Sequence, residues 1–317
     1  NNDWKYFAND EVKKLEENLK ALEEQKNNIE DKQELDELNQ SIELAKIDLE
    51  AARCRVDKDI KYGNDYLNTA LDDYQNNSKT LASYKKDEKL SFKEQKEYNQ
   101  SLENKEVSKY IIENKQDVNK VNDVRGILKN FFDEYGLFII VLVVMIAGTI
   151  VSEEFNKGTI KLLLVKPYSR NKILFAKFIT ILIMIVFAFV SIILMELIVG
   201  SIVFGTSSLN VPVVQYNFNT HALEQMNIFK YLGLNVLTQL PIVLLLATLA
   251  FSFSTLFTNS AVSIALPLLG YMSASTINVL AVHHNIKFIK YFVTPNWDLS
   301  QYLFGNLPML EGMTRNF

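Results

Sequence analysis

The stretch SEEFNKGTIKLLLVKPYSRNK, residues 152–172, lies between two strongly apolar runs. Residues 152–177 carry six cations, Lys157, Lys161, Lys166, Arg170, Lys172 and Lys177, against Glu153 and Glu154. Gly158 is placed to end an incoming helix, because glycine takes left-handed backbone freely. Thr159 can cap a short helix over residues 159–166. Pro167 ends it by pushing Lys166 out of the helical region. Ser169 can cap the helix that follows. So short a helix does not hold itself together in water. Its Ile160, Leu162, Leu163, Leu164 and Val165 need a surface to lie on, and both the bilayer face and a soluble partner offer one.

The flanking runs decide the fold class. A spanning helix needs ~20 mostly apolar residues. Four stretches qualify, at about residues 135–155, 173–205, 231–257 and 261–282. Four such runs in succession point away from a soluble core and toward an all-α, polytopic membrane protein. The Lys/Arg excess over residues 152–177 marks that connection as cytoplasmic. Residues 1–134, the loop at 206–230 and the tail at 283–317 are then expected outside, in a multi-pass protein of the plasma membrane. An outward start and an outward tail lead to the expectation of one further span at each end, six in the parent protein. Trp4, Tyr6, Tyr291, Trp297 and Tyr302 fall near the outer boundaries, as interface anchors do.

The mean hydropathy of +0.02 averages two unlike halves. Residues 1–136 hold 23 Lys+Arg and 31 Asp+Glu, a net of −8; residues 137–317 hold 10 and 6, a net of +4. In the polar half Leu35, Leu38, Ile42, Ala45, Leu49, Ala52 and Val56 recur at alternating spacings of 3 and 4, a heptad seam. Leu15, Leu19, Leu22 and Ile29 fit the same repeat, with a slip near residues 31–33. Gly63 is the sole glycine of the first 125 residues, and Asn64 or Asp65 can cap the next helix. The seam predicts an extracellular coiled-coil hairpin over residues 1–134, turning near 63–65. Two arms of ~60 residues would each reach ~90 Å.

The segment EEFNKGTIKLLLVKPYSRNKILFAK resembles the connection between the second and third spans of type-2 ABC transporter permeases, the exporter class. The family's pattern is an acid, a spacer, Gly-Thr, paired leucines, Pro, Ser-Arg and a Lys before the next span. Glu153, Glu154, Gly158, Thr159, Leu162, Leu163, Pro167, Ser169, Arg170 and Lys177 occupy those places here. The resemblance extends over residues 137–282, and FSTLFTNSAVSIAL at 253–266 resembles the family's tight turn between later spans. It implies a six-span subunit that pairs with a second copy or a homologous permease. It also implies that the short cytoplasmic helix couples to a separate nucleotide-binding ATPase subunit. The helical hairpin lies outside the shared core.

No GxxxxGK[ST] run occurs, so the phosphate-cradling loop is absent and no nucleotide cofactor is expected on this chain. ATP and magnesium belong, on this reading, to the partner subunit, and the chain itself is not an enzyme. Glu196, in SIILMELIVG, is an acid deep inside a predicted span, away from its cytoplasmic end. Intramembrane charges face a cavity or a partner. Glu196 can line a pathway, relay a proton, bond across a subunit interface or reach the outer headgroups. Cys54 is the only cysteine, which excludes an internal disulfide and a cysteine-based zinc cluster; no other metal site is expected. The acidic outer half disfavours nucleic acid. Membrane lipid and an exported substrate of open chemistry are the remaining expected partners. A reading from another class is a membrane-anchored coiled-coil scaffold or sensor without transport activity.

Overall fold

The structure is a computed structural model that describes residues 3–26, 31–84, 90–159, 169–284, 286–297 and 299–308. Among the described residues the protein is all-α apart from one short hairpin, and it divides into two compact units. One contains residues 1–119 and 214–225; the other contains residues 120–213 and 226–317.

The first unit runs up and down through four helices: α1 (Asp3–Lys26), α2 (Lys32–Asp57), α3 (Tyr66–Ser83) and α4 (Phe92–Asn114). Cross-links set the directions. Arg53 meets Glu16 at 2.7 Å and Lys46 meets Glu23 at 3.1 Å, so α1 and α2 are antiparallel. Gln75 donates to Asp48 at 2.5 Å and Arg55 to Asn68 at 2.6 Å, which pairs α2 with α3 the same way. Tyr84 stacks edge-on to Tyr98, and Lys105 lies over the Tyr74 ring, pairing α3 with α4.

The two 60-residue arms expected from the seam are therefore absent. Each is folded back on itself, and α2 is only ~39 Å long at 1.5 Å per residue. The reason lies at the slip near residues 31–33. It is a helix boundary, not a stutter: Asp31 is extended, and α2 starts at Lys32. The seam residues Leu38, Ile42, Ala45, Leu49 and Ala52 are buried. They serve a helix packed between α1 and α3. The chain does turn at Gly63, where φ is +154°, and Asp65 accepts from Asn68 N to cap α3. Strands β1 (Val213–Asn217) and β2 (Ala222–Met226) form a hairpin whose turn is closed by Asn217 Oδ1, which accepts from the Asn219 and Thr220 amides. Within this unit Tyr110 OH donates to Gln225 Oε1 at 3.2 Å, fixing the hairpin to α4.

The second unit holds α5 (Val124–Lys129), α6 (Phe131–Thr149), α7 (Ser152–Asn156), α8 (Arg170–Phe204), α9 (Ile228–Leu256) and α10 (Ser260–His283). Four of these, α6, α8, α9 and α10, are long and apolar enough to cross a membrane. The chain is a multi-pass membrane protein. Helix α6 is the hub, packed on α8, α9 and α10 around Ile139, Ile140, Val143, Val144 and Ala147. It approaches α10 closely at Gly148, where an added Cβ would stand 2.8 Å from Ile264 Cγ1. Pro241 and Pro267 lie inside α9 and α10. The expected tail is folded against the bundle in its described part. Thr294 Oγ1 donates to Asn278 Oδ1 at 2.9 Å, Trp297 stacks on Tyr271 with ring centroids 5.2 Å apart, and Phe304 is buried.

Candidate functional site

The site is the foot of the connection at residues 152–177. Helix α6 stops at Thr149, six residues before the boundary expected at 155, because its next amides find a partner on another span. Val151 N and Ser152 N donate to Ser254 Oγ of α9, at 3.1 and 3.0 Å. Ser152 Oγ donates to Gly148 O at 2.7 Å and shares a 2.8 Å hydrogen bond with Ser260 Oγ at the start of α10. Asn156 Nδ2 donates to the same hydroxyl at 3.3 Å. Ser152 and Ser254 are fully buried. The Val151 and Ser152 amides and the Gly148 carbonyl at the break are thereby satisfied inside the protein, as low-dielectric surroundings demand.

A second tie reaches α8. Lys177 Nζ donates to Ile150 O, the carbonyl exposed by the break. The same ammonium lies 2.6 Å from Glu154 Oε1, with the two side chains 15% and 25% exposed. Glu153 instead pairs with Lys157 at 2.8 Å on the open surface. Gly158 ends α7 in the left-handed region, φ +71°, with nothing within 4 Å of an added Cβ. Thr159 Oγ1 donates to Glu154 O at 3.4 Å. Ser169 takes the extended N-cap geometry before α8 without a side-chain bond, and Arg170 and Lys172 are exposed.

The structure thus brings Glu154, Lys177, Ser152, Ser254 and Ser260 together, while Glu153, Gly158, Ser169 and Arg170 line the exposed rim. Leu162, Leu163 and Pro167, and all of the short helix expected at 159–166 beyond Thr159, lie outside the described residues. Glu196 stands apart on α8. It is 7% exposed, and neither carboxylate oxygen has a hydrogen-bond partner among the described residues. It shares the buried face of α8 with Phe189, which packs on Phe131, and with Gly200, which packs on Val124.

Sequence reasoning missed the serine cluster and the in-chain partner of Glu154. Ser254 was visible only as a polar residue near the end of an apolar run. Among the described residues no three His, Cys, Asp or Glu side chains gather to hold a metal. Geometrically, the site fixes both feet of one connection. The 22 residues between Glu154 and Lys177 start and finish at the same ion pair.

A family model described as "Protein of unknown function (DUF2705)" matches residues 95–317, from within α4 through all four spans. The chain is similar to an uncharacterized protein, YhcI, of Bacillus subtilis (strain 168), at 33% identity over 189 residues, 59% of this chain and 58% of the relative. It is also similar to an uncharacterized membrane protein, YdbK, of the same organism, at 31% identity over 176 residues, 56% of this chain and 66% of the relative. The chain spans less than two thirds of the length of either relative. No solved structure matches it.

Proposed function

We propose that this chain, which belongs to the DUF2705 family of proteins of unknown function, is the membrane-spanning permease subunit of an ATP-driven exporter. The observation that carries this reading is the pair of ties at the foot of residues 154–177. Glu154 and Ile150 O hold Lys177, and the serine cluster holds the same break to α9 and α10. A push on the connection is delivered to α6 and α8 directly and to the other two spans through Ser254 and Ser260. A free interfacial loop would need no such footing. In this proposal residues 159–166 meet an apolar groove on a separate ATPase, Arg170 and Glu153 flank the contact, and a second permease copy or homologue completes the path. The cation excess supports a cytoplasmic place for the connection, with residues 1–134 outside the cell and Glu196 beside the path.

The test is purification of the chain from its native membrane together with the product of any ATPase gene encoded beside it. Co-purification, and ATP hydrolysis in vesicles that requires both polypeptides, supports the reading. Repeated purification without an ATPase, in a protein that inserts normally, favours the anchored scaffold.

A further inference from the structure

The helical unit gathers its exposed aromatic side chains at one end. Tyr6 is 74%, Phe7 62%, Tyr62 46% and Tyr66 39% exposed, and Trp4 is half-buried beside them. They belong to three segments that bonds hold together. Lys5 pairs with Asp59 at 2.6 Å. Tyr62 OH donates to Glu11 at 2.6 Å, and its ring lies under Arg55, 4.3 Å from the guanidinium carbon. Tyr66 OH donates to Lys115 O at 2.8 Å, so the last residue capping α4 stands beside the start of α3. At the opposite end, where α3 gives way to α4 behind the Ser91–Glu94 cap, the aromatic residues Tyr84, Phe92 and Tyr98 are partly buried, Tyr84 against Tyr98 and Phe92 under Lys96, and none is fully exposed.

The aromatic end is also where chain leaves this unit for the spans. Helix α4 finishes there at Asn114 and runs on toward α6. The hairpin is bound to α4 through Tyr110 and Gln225, one turn before that finish. Its open end continues into α8 on one side and α9 on the other. The connection from α4 to the apolar helices therefore starts beside Tyr66, and the hairpin joins α4 one turn earlier.

We propose that the rim formed by Trp4, Tyr6, Phe7, Tyr62 and Tyr66 rests in the headgroup layer of the bilayer that the spans cross. Aromatic side chains with one apolar and one polar side are favoured at that depth. Exposed apolar residues gathered in one patch mark a protein or membrane contact more often than a bare surface. The charges at this end are mixed, Lys5, Arg55, Lys58, Lys61 and Lys115 against Asp3, Glu11, Asp57, Asp59 and Asp65. The rings, not net charge, make the contact, so it does not require anionic lipid and resists salt. The inference stands independently of the ATPase reading, since it needs only that the four apolar helices cross a membrane.

The experiment uses the full chain in phosphatidylcholine vesicles, with Trp297→Phe leaving Trp4 as the sole indole. Trp4 emission is expected to be lost when acyl chains brominated near the headgroup replace plain ones, at low and high salt alike, and to be unaffected by aqueous iodide. Tyr6→Ser with Phe7→Ser should exchange the two sensitivities. As a route independent of Trp297, Phe7→Cys in a Cys54→Ser background, labelled with an environment-sensitive dye, should give emission shifted to the blue in vesicles. Quenching of Trp4 by iodide and not by bromolipid, or a dye spectrum typical of water, overturns the proposal.

Discussion

Lys5 Nζ stands 2.6 Å from Asp59 Oδ1, and this pair binds the first turn of α1 to the loop that closes α2. A hairpin with its tip at Gly63 would put these residues at opposite ends of an arm. Their contact makes the array four short helices, with the Gly63 turn at the same end as the start of α1. The carboxyl of Asp59 is held below its ordinary value by the hydrogen bond from Lys5, and further by the nearby charges of Lys5, Lys115 and Lys61. A depressed carboxyl pKa contributes stability that is complete above the unfolded value, 3.8, and is lost as pH falls through the lower folded value. Amide protection factors, taken against the intrinsic exchange rate at each pH, should therefore fall along the first turns of α1 below about pH 4. Lys5→Ala should give the same loss of protection at neutral pH, with little effect on α3. Protection in α1 that is indifferent to both would contradict the pairing.

The turn at Gly63 and the left-handed stop at Gly158 were legible in the sequence because each rests on one residue's backbone freedom. The path of the arms was not. A seam at spacings of 3 and 4 says that one face of α2 is covered, but α1 and α3 cover it equally well. The missed signals were local: Asp31 before α2, and the Ser91–Glu94 capping box before α4, in which Ser91 N donates to Glu94 Oε2 at 2.7 Å. The hub of the candidate site was out of reach for another reason. Ser152 meets Ser254 and Ser260 across 102 and 108 residues of chain, and nothing local marks a serine that will receive another span's amides.

Gly148 tests the packing of the spans. A Cβ there would stand 2.8 Å from Ile264 Cγ1 and 3.2 Å from Ile264 N, so the backbones of α6 and α10 must separate to admit one. Gly148→Leu should destabilise the protein by about 1–3 kcal/mol, the usual cost of overpacking, read as a lower melting temperature in detergent. Gly233→Leu, where nothing lies within 4 Å, is the control and should be near neutral.

The ion pair at the foot of the connection should behave as a unit. Breaking a buried pair by removing one partner costs about 3–5 kcal/mol, and partial exposure brings this one toward the lower figure. Lys177→Met should cost more than Glu154→Gln, because Lys177 also holds Ile150 O. The double variant should cost less than the sum of the two. Additive losses in a thermal or denaturant cycle would show that the two side chains are not coupled.

Cys54 reports both environment and side. Burial, the largest influence, raises its thiol above the ordinary value, so little thiolate is present at neutral pH. An impermeant maleimide on intact cells should label it slowly, and faster as pH rises toward 9 or after Leu49→Ala loosens the neighbouring core. Labelling that appears only after lysis would place residues 1–134 on the cytoplasmic side.

The central claim is that the connection ending at Glu154 and Lys177 receives the motion of a separate ATPase, and Leu163→Asp addresses it most directly. The substitution puts a carboxylate where the proposal has an apolar groove, and an unpaired buried carboxylate costs several kcal/mol. It lies outside all four spans, so insertion and melting temperature should match the parent protein. The account predicts that this variant, measured in native membranes, loses association with the ATPase and export together. A Leu163→Asp protein that inserts normally and still purifies with a fully coupled ATPase would contradict it, and would leave residues 159–166 lying on the bilayer.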